Sequence, residues 1–140
     1  MVPSALVQAN LSANKLASKS GTRFFLQPNL LNKSTFIPIK DENRERPILV
    51  NYPYREYDSV VFQLPLGHNV EAFFKSVELE SEFGLYKAKV ERVDDQSFVY
   101  KRELQIFEGK FPKTSYANFL EFHKQIVRSD KKRISFKKKT

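Results

Sequence analysis

Gly84-Leu85-Tyr86-Lys87-Ala88-Lys89-Val90-Glu91-Arg92, followed by Asp94-Asp95-Gln96 and then by Ser97-Phe98-Val99-Tyr100-Lys101-Arg102-Glu103-Leu104-Gln105-Ile106, decides the fold. Tyr86, Ala88 and Val90 alternate with Lys87, Lys89 and Glu91, the two-residue period of a strand with one buried face. After the acidic turn the alternation resumes with Phe98, Tyr100, Leu104 and Ile106 on one face. Closing the turn as a hairpin sets Val90 opposite Tyr100 and Tyr86 opposite Leu104, so the two apolar faces coincide. A slip of one residue would turn either apolar set to solvent, which is what fixes the register. Gly109 and Pro112 are expected to end the second strand, and a helix to begin at Thr114 or Ser115.

That helix carries Tyr116, Phe119, Leu120, His123, Ile126 and Val127 at i, i+3, i+4, i+7, i+10 and i+11. Such spacing makes one apolar stripe, and a lone helix with one stripe needs a sheet face or edge to cover. Thr114 or Ser115 is expected to cap its start, and Lys124 and Arg128 lie near the end where the helix dipole favours cations. Ile134 and Phe136 alternate with Ser135 and Lys137, which predicts a last short strand.

Before the hairpin the signals are shorter. Residues 5–19 alternate thinly through Leu6, Leu11, Ala13 and Leu16, which predicts one edge strand or two short ones. Thr22 to Leu26 reads as a strand stopped by Pro28-Asn29. From Asn29 to Arg46 no period survives; Leu30, Leu31 and Phe36 are expected to lie along the body, and 38–46 to be mobile. Ile48 to Tyr54 is a strand interrupted by Pro53, and Asp58 opens the next, which closes in a type I turn with Pro65 second and Gly67 fourth. Val70 to Phe74 is a short apolar crossing, with one ring of Phe73-Phe74 expected to face outward, and Val77 to Glu80 alternates cleanly. Short strands at intervals of about ten residues predict an all-β domain over residues 1–140. Its expected form is an antiparallel β-sandwich of about seven to nine strands with one C-terminal α-helix (115–129) packed on a sheet face or edge. Residues 1–4 are expected to be a disordered start and 137–140 a basic tail.

The chain has 140 residues, 41% hydrophobic and with thirteen Phe, enough to bury a core without staples. Its net charge of +8 sits at one end: residues 124–140 carry +7 and residues 1–123 only +1. A solvated basic end is therefore the leading reading of the charge, and nucleic-acid binding ranks last. The absence of Cys excludes a disulfide framework, a thiolate metal site and a cysteine nucleophile within these residues. No apolar run approaches the roughly 18–20 residues that span a bilayer, and Met1-Val2-Pro3-Ser4 does not read as a signal peptide.

Chemistry-bearing patterns are few. His68 follows a turn glycine and is expected to be exposed, while His123 lies on the helix stripe as an interfacial residue. No H-x-x-x-H or E-x-x-H spacing accompanies either, so neither a metal site nor a cofactor is called for. The four glycines are isolated turn residues, no G-x-S-x-G occurs, and Asp94-Asp95, Glu78 and Glu80 fall on a turn and a solvent face. Tyr52, Tyr54 and Tyr57 gather around Pro53 as a weak binding surface, without the Trp that favours sugar stacking. Arg102 falls on the face of Tyr100 and Leu104, where it must snorkel to an edge or pair with a carboxylate.

Taken in order, Arg23 to Asn32, Asp58 to Pro65, Glu82 to Tyr86, Tyr100-Lys101-Arg102 through Gly109-Lys110-Phe111-Pro112, and Tyr116 to Phe122 with Asp130 form a set. It resembles the C-terminal domain, a domain of unknown function, of large bacterial transglutaminase-like proteins with an N-terminal β domain and a papain-type core. The resemblance runs from about residue 5 to 138. It marks Asn29, Asp58, Pro65, Gly84, Tyr100, Arg102, Gly109, Tyr116 and Phe122 as family-like structural positions. It implies that the Cys-His-Asp triad lies outside this chain, that this piece is not an enzyme and has no catalytic residue, and that the parent protein is exported to the periplasm or cell surface. The expected role is a non-catalytic accessory module whose partner is the upstream transglutaminase-like domain, supporting that core or positioning its substrate. The alternative is an independent peptide- or carbohydrate-binding module using the 29–46 loop or the tyrosines.

Overall fold

A computed structural model describes residues 3–12 and 15–139. The hairpin is its centre. Strands β7 (Gly84–Arg92) and β8 (Ser97–Ile106) pair antiparallel with Tyr86 against Leu104 and Val90 against Tyr100, the register that the alternation predicts. The Asp94 carboxylate accepts the Gln96 N–H at 2.8 Å, and the Ser97 carbonyl accepts the N–H of Val93 at 3.0 Å, which closes the turn. With this hairpin the described residues form ten strands and one C-terminal helix, the strands in antiparallel sheets.

The remaining strands are β1 (Ser18–Ser20), β2 (Arg23–Leu26), β3 (Ile48–Val50), β4 (Tyr54–Gln63), β5 (His68–Ala72), β6 (Val77–Ser81), β9 (Gly109–Phe111) and β10 (Ile134–Lys138). Three sheets result, in the orders β4-β8-β7-β6, β1-β2-β10-β5 and β3-β9. The helix α1 is Tyr116–Asp130, entered through a 3₁₀ turn at Lys113–Ser115.

The first sheet buries one face only. Phe98, Tyr100, Arg102, Leu104 and Ile106 of β8 are all buried, and the residues between them are partly exposed. Two covers share that face. Tyr116, Phe122 and Ile126 of α1 pack with Phe83, Tyr86, Leu104 and Ile106, while Leu26, Ile134 and Phe136 of the second sheet pack on Phe98 and Leu64. Burying each such side chain is worth about 1.5–3 kcal/mol.

Several expectations are corrected. Among the described residues of 5–20 only Ser18–Ser20 forms a strand, at a sheet edge; Leu6, Val7, Leu11 and Leu16 are exposed, because no sheet receives so sparse an apolar set. Ala13, the first two residues of the expected disordered start and Thr140 of the tail lie outside the described residues. Asp58 stands in the middle of β4, not at its start, because β8 offers ten residues and β4 pairs along all of them from Tyr54. β8 stops at Ile106 rather than at Gly109, since the Phe107 N–H turns to the Phe83 carbonyl at 3.0 Å and Gly109–Phe111 pairs separately with β3.

The turn after β4 is shifted by one residue. The His68 N–H bonds the Pro65 carbonyl at 3.2 Å, with Gly67 third at φ +82°, a conformation glycine adopts freely. Neither Phe73 nor Phe74 faces outward: both pack against the core rings, at 5.9 Å from Phe98 and 6.4 Å from Tyr100. His68 is half-buried rather than exposed, edge-on to Phe24 and Phe136.

No side chain caps the helix at Thr114 or Ser115; the Ser115 N–H bonds the Pro112 carbonyl at 2.9 Å and the chain winds into α1 through the tighter turn. The buried stripe is also broader than the spacing implies. Phe122, Ser129 and Asp130 join Tyr116, Leu120, Ile126 and Val127, whereas Phe119 and His123 are half-buried. Phe122 packs with Phe83 in the core of the first sheet and Asp130 pairs with Arg102, while the 29–46 loop adds a cover of its own, with the Phe36 ring 4.9 Å from His123 and the Ile39 carbonyl accepting the Tyr116 hydroxyl. Leu31 and Phe36 remain mostly exposed, so the loop is fastened by polar groups more than by the apolar side chains expected to hold it.

Two substitutions check this packing by chemical denaturation. Phe122→Ala is expected to cost about 3–5 kcal/mol, and Phe119→Ala less because its ring is only half-buried. Gly84→Ala, whose methyl would meet the Gln105 carbonyl oxygen at 2.1 Å, is expected to cost about 1–3 kcal/mol or more.

Candidate functional site

The strand period carries Arg102 onto the buried face of β8, where its side chain has no solvent exposure. An isolated charge there would cost several kcal/mol, so its partners decide whether the fold exists. Asp130, the last residue of α1 and equally sealed, takes the guanidinium in a two-pronged grip: Nε to Oδ1 at 2.8 Å and Nη2 to Oδ2 at 3.0 Å. The Tyr86 hydroxyl donates to Asp130 Oδ1 at 2.7 Å, and the Ser34 N–H donates to Oδ2 at 2.9 Å. Nη2 also reaches Ser34 Oγ at 3.1 Å, and Nη1 reaches Glu56 at 3.2 Å and Asp58 at 3.5 Å. Asn32 of the loop donates to Asp58 at 2.7 Å. One guanidinium thus faces three carboxylates.

Electrostatics follow from this arrangement. Burial pushes the Tyr86 phenol up, and the adjacent Asp130 charge pushes it further, so Tyr86 remains a donor. Tyr100, whose hydroxyl has no hydrogen-bond partner beside the cluster, is raised by burial and then by Asp130. For Arg102 burial disfavours the charge, but the hydrogen bonds and charge of Asp130 overcome it and hold the cation more firmly than usual. Tyr86, Tyr100 and Arg102 therefore all keep their protons near neutral pH. What the cluster does is join three parts: the helix end, the sheet centre and the loop.

The nine family-like positions scatter around it. Asp58, Tyr100 and Arg102 come together in the cluster. Asn29 is buried at the loop's start, where its side chain accepts the Asn32 N–H at 3.1 Å and donates to the Asn32 carbonyl at 3.2 Å. Pro65 lies in the turn after β4, Gly84 starts β7 against Gln105, and Gly109 starts β9 under the Phe111 ring. Tyr116 and Phe122 belong to the helix core. Tyr86, Ser34, Glu56 and Asn32 are the partners that sequence reasoning misses as a group. Arg102 on an apolar face was their one signal.

Elsewhere the surface of the described residues includes two open clefts. One, about 430 Å³, lies on the solvent face of the first sheet between Tyr57, Lys87, Lys89, Lys101 and Glu103. Its amines already sit near carboxylates, Lys87 to Glu78 at 3.6 Å and Lys89 to Glu91 at 2.8 Å. The other, about 440 Å³, lies between residues 40–44 and the start of α1, with Arg44 stacked on Tyr116 at 4.4 Å. Tyr54 and Tyr57 project to opposite faces of β4, so the three tyrosines do not make one stacking platform. Among the described residues no three His, Cys, Asp or Glu side chains are placed to hold a metal ion, and no helix is long and apolar enough to cross a membrane.

Removing one member of the buried pair is expected to cost about 3–5 kcal/mol in chemical denaturation, Arg102→Met more than Asp130→Asn because three carboxylates then lose their cation. The double variant should cost less than the sum of the two. His123 supplies a pH test. Its ring lies 4.6 Å from Phe119 and 4.9 Å from Phe36, and burial pushes it down to about 4 from the usual 6.5. Between those values the unfolded chain binds the proton and the native one does not. The stability that neutral His123 contributes is therefore full above about pH 6.5 and lost as pH falls towards 4. Comparing unfolding at about pH 7 and pH 5, His123→Phe should show a smaller loss than the unsubstituted chain.

No curated protein and no solved structure matches the chain. A family model described as a domain of unknown function with solved structure, DUF3858, matches residues 22–136, which takes in the cluster, both covers of the first sheet and the helix. The chain belongs to the DUF3858 family.

Proposed function

We propose that this chain is a non-catalytic accessory module of an exported bacterial protein with a transglutaminase-like, papain-type core, located in the periplasm or at the cell surface. The observation that carries the reading is the sealing of its densest polar constellation. Arg102 and Asp130 have no solvent exposure, and their hydrogen bonds are spent on each other, Tyr86, Ser34 and Glu56. A group that never meets a substrate fastens; it does not react. The ordered motifs from Arg23 to Asp130 supply the link to the transglutaminase-like core. The loop adds a surface: Leu31, Ile37 and Ile39 are exposed on a segment anchored at Ser34 and Tyr116, which suits docking against an upstream domain of the same polypeptide. A stand-alone carbohydrate reading loses support from the divided tyrosines.

The test uses the 140-residue chain and the full reading frame from which it comes. The isolated chain should transfer no fluorescent primary amine to a glutamine-bearing protein and hydrolyse no peptide. The full protein should do one of these through an upstream Cys and His, and Ile39→Asp should raise its KM or lower its melting temperature. Turnover by the isolated chain, or a reading frame without such a core, would overturn the proposal.

A further inference from the structure

β4 is an edge strand. It pairs with β8 along its whole length and with nothing else, and among the described residues no backbone hydrogen bond leaves its other side. Ten residues at about 3.3 Å each leave an open edge some 33 Å long. Proteins blunt such edges with prolines and inward-pointing charges, because an unpaired row of N–H and C=O groups templates another strand. Here Pro53 precedes the strand and Glu56 and Asp58 point inward.

Those charges are of one sign. With Asp130 they share the single Arg102 guanidinium, and Asp130 holds it most closely. The Glu56 side chain is 34% exposed and is the more accessible of the two; Asp58 Oδ1 takes Asn32, and its buried Oδ2 accepts no hydrogen bond but lies 3.5 Å from Arg102. In the antiparallel register about Tyr57 a second copy of the edge is turned away, since Glu56 would meet Asp58. The edge equally turns away acidic strands. On the outer face the same strand exposes Tyr57 and Val61, to 62% and 68%, ready to pair with β-branched neighbours.

We propose that the free edge of β4 is a receptor for an extended peptide segment that adds a strand to the sheet, with lysine or arginine on its inward face and apolar residues on its outward face. Main-chain pairing supplies the affinity and Glu56 with Asp58 the selection, the division of labour usual in strand addition. The inference goes beyond the accessory reading and does not rest on it, since it applies to this chain with or without a neighbouring core.

The probe is a labelled ten-residue peptide alternating Lys and Val, titrated into the whole chain by fluorescence anisotropy at about 150 mM salt. Comparison peptides replace Lys by Glu, or carry N-methyl groups on the even or on the odd backbone nitrogens. Saturable micromolar binding of the lysine peptide is expected, with the glutamate peptide and one of the two N-methylated peptides at least about tenfold weaker. Glu56→Gln should weaken binding several-fold, and Glu78→Gln on the opposite edge should leave it unchanged. Should Glu56→Gln fail to fold, the four peptides decide alone. No binding of the lysine peptide at about 1 mM, equal binding of both N-methylated peptides, or a chain that is dimeric through β4 by sedimentation would each overturn the proposal.

Discussion

A guanidinium inside a β-sheet core can exist only if its charge is answered on the spot, and this fold is arranged around that answer. Arg102 comes from the centre of the first sheet and Asp130 from the far end of α1, 28 residues later. A carboxylate at a helix C-terminus opposes the helix dipole, which favours cations there. Asp130 is therefore poorly placed by its own helix and well placed above all by Arg102. Asp130 also takes the Tyr86 hydroxyl and the Ser34 N–H, so one carboxylate ties together β7, β8, the helix and the loop. Apolar packing would let these parts slide. The ion pair fixes where they meet.

The pair lies within the first of two adjoining cores, Arg102 standing on β8 between Tyr100 and Leu104. Tyr86, Leu104 and Ile126 belong to that core and Leu26, Phe98 and Ile134 to the second, while Phe62, Phe74 and Val90 touch both groups. Only three residues, Lys131 to Arg133, separate the helix from β10, so the chain passes from the first cover of the sheet to the second just past Asp130. Fixing Asp130 thus fixes both covers. The buried cation costs solvation that an apolar residue would not, and what it supplies is a defined junction.

How much of this is legible in the sequence depends on how local each determinant is. The hairpin register is legible because a two-residue period and a short turn leave one alignment that buries Tyr86, Val90, Tyr100 and Leu104 together. The helix is legible for the same kind of reason. Arg102 announces a buried charge by its position between Tyr100 and Leu104. Its partners are 46, 68 and 28 residues away at Glu56, Ser34 and Asp130, on elements whose packing no period encodes. The start of β4 is hidden by Pro53 and by tyrosines that resemble a loop cluster; only the length of β8 reveals that the strand reaches back to Tyr54.

The 29–46 loop inverts the pattern on which such reading rests. Most of its inward contacts are polar: Asn29 within its own turn, Asn32 to Asp58, Ser34 to Arg102 and Asp130, and the Ile39 carbonyl to Tyr116, with the Phe36 ring on His123 and the buried Pro38 as the apolar ones. Its apolar side chains Leu31, Ile37 and Ile39 face solvent instead. Hydrophobic periodicity assigns such a segment to nothing, because it assumes that apolar residues point to the core. A backbone held by hydrogen bonds to a buried ion pair has no need of that anchorage. Its apolar side chains are left on the outside, and the polar cluster that seals the interior is also what presents them there.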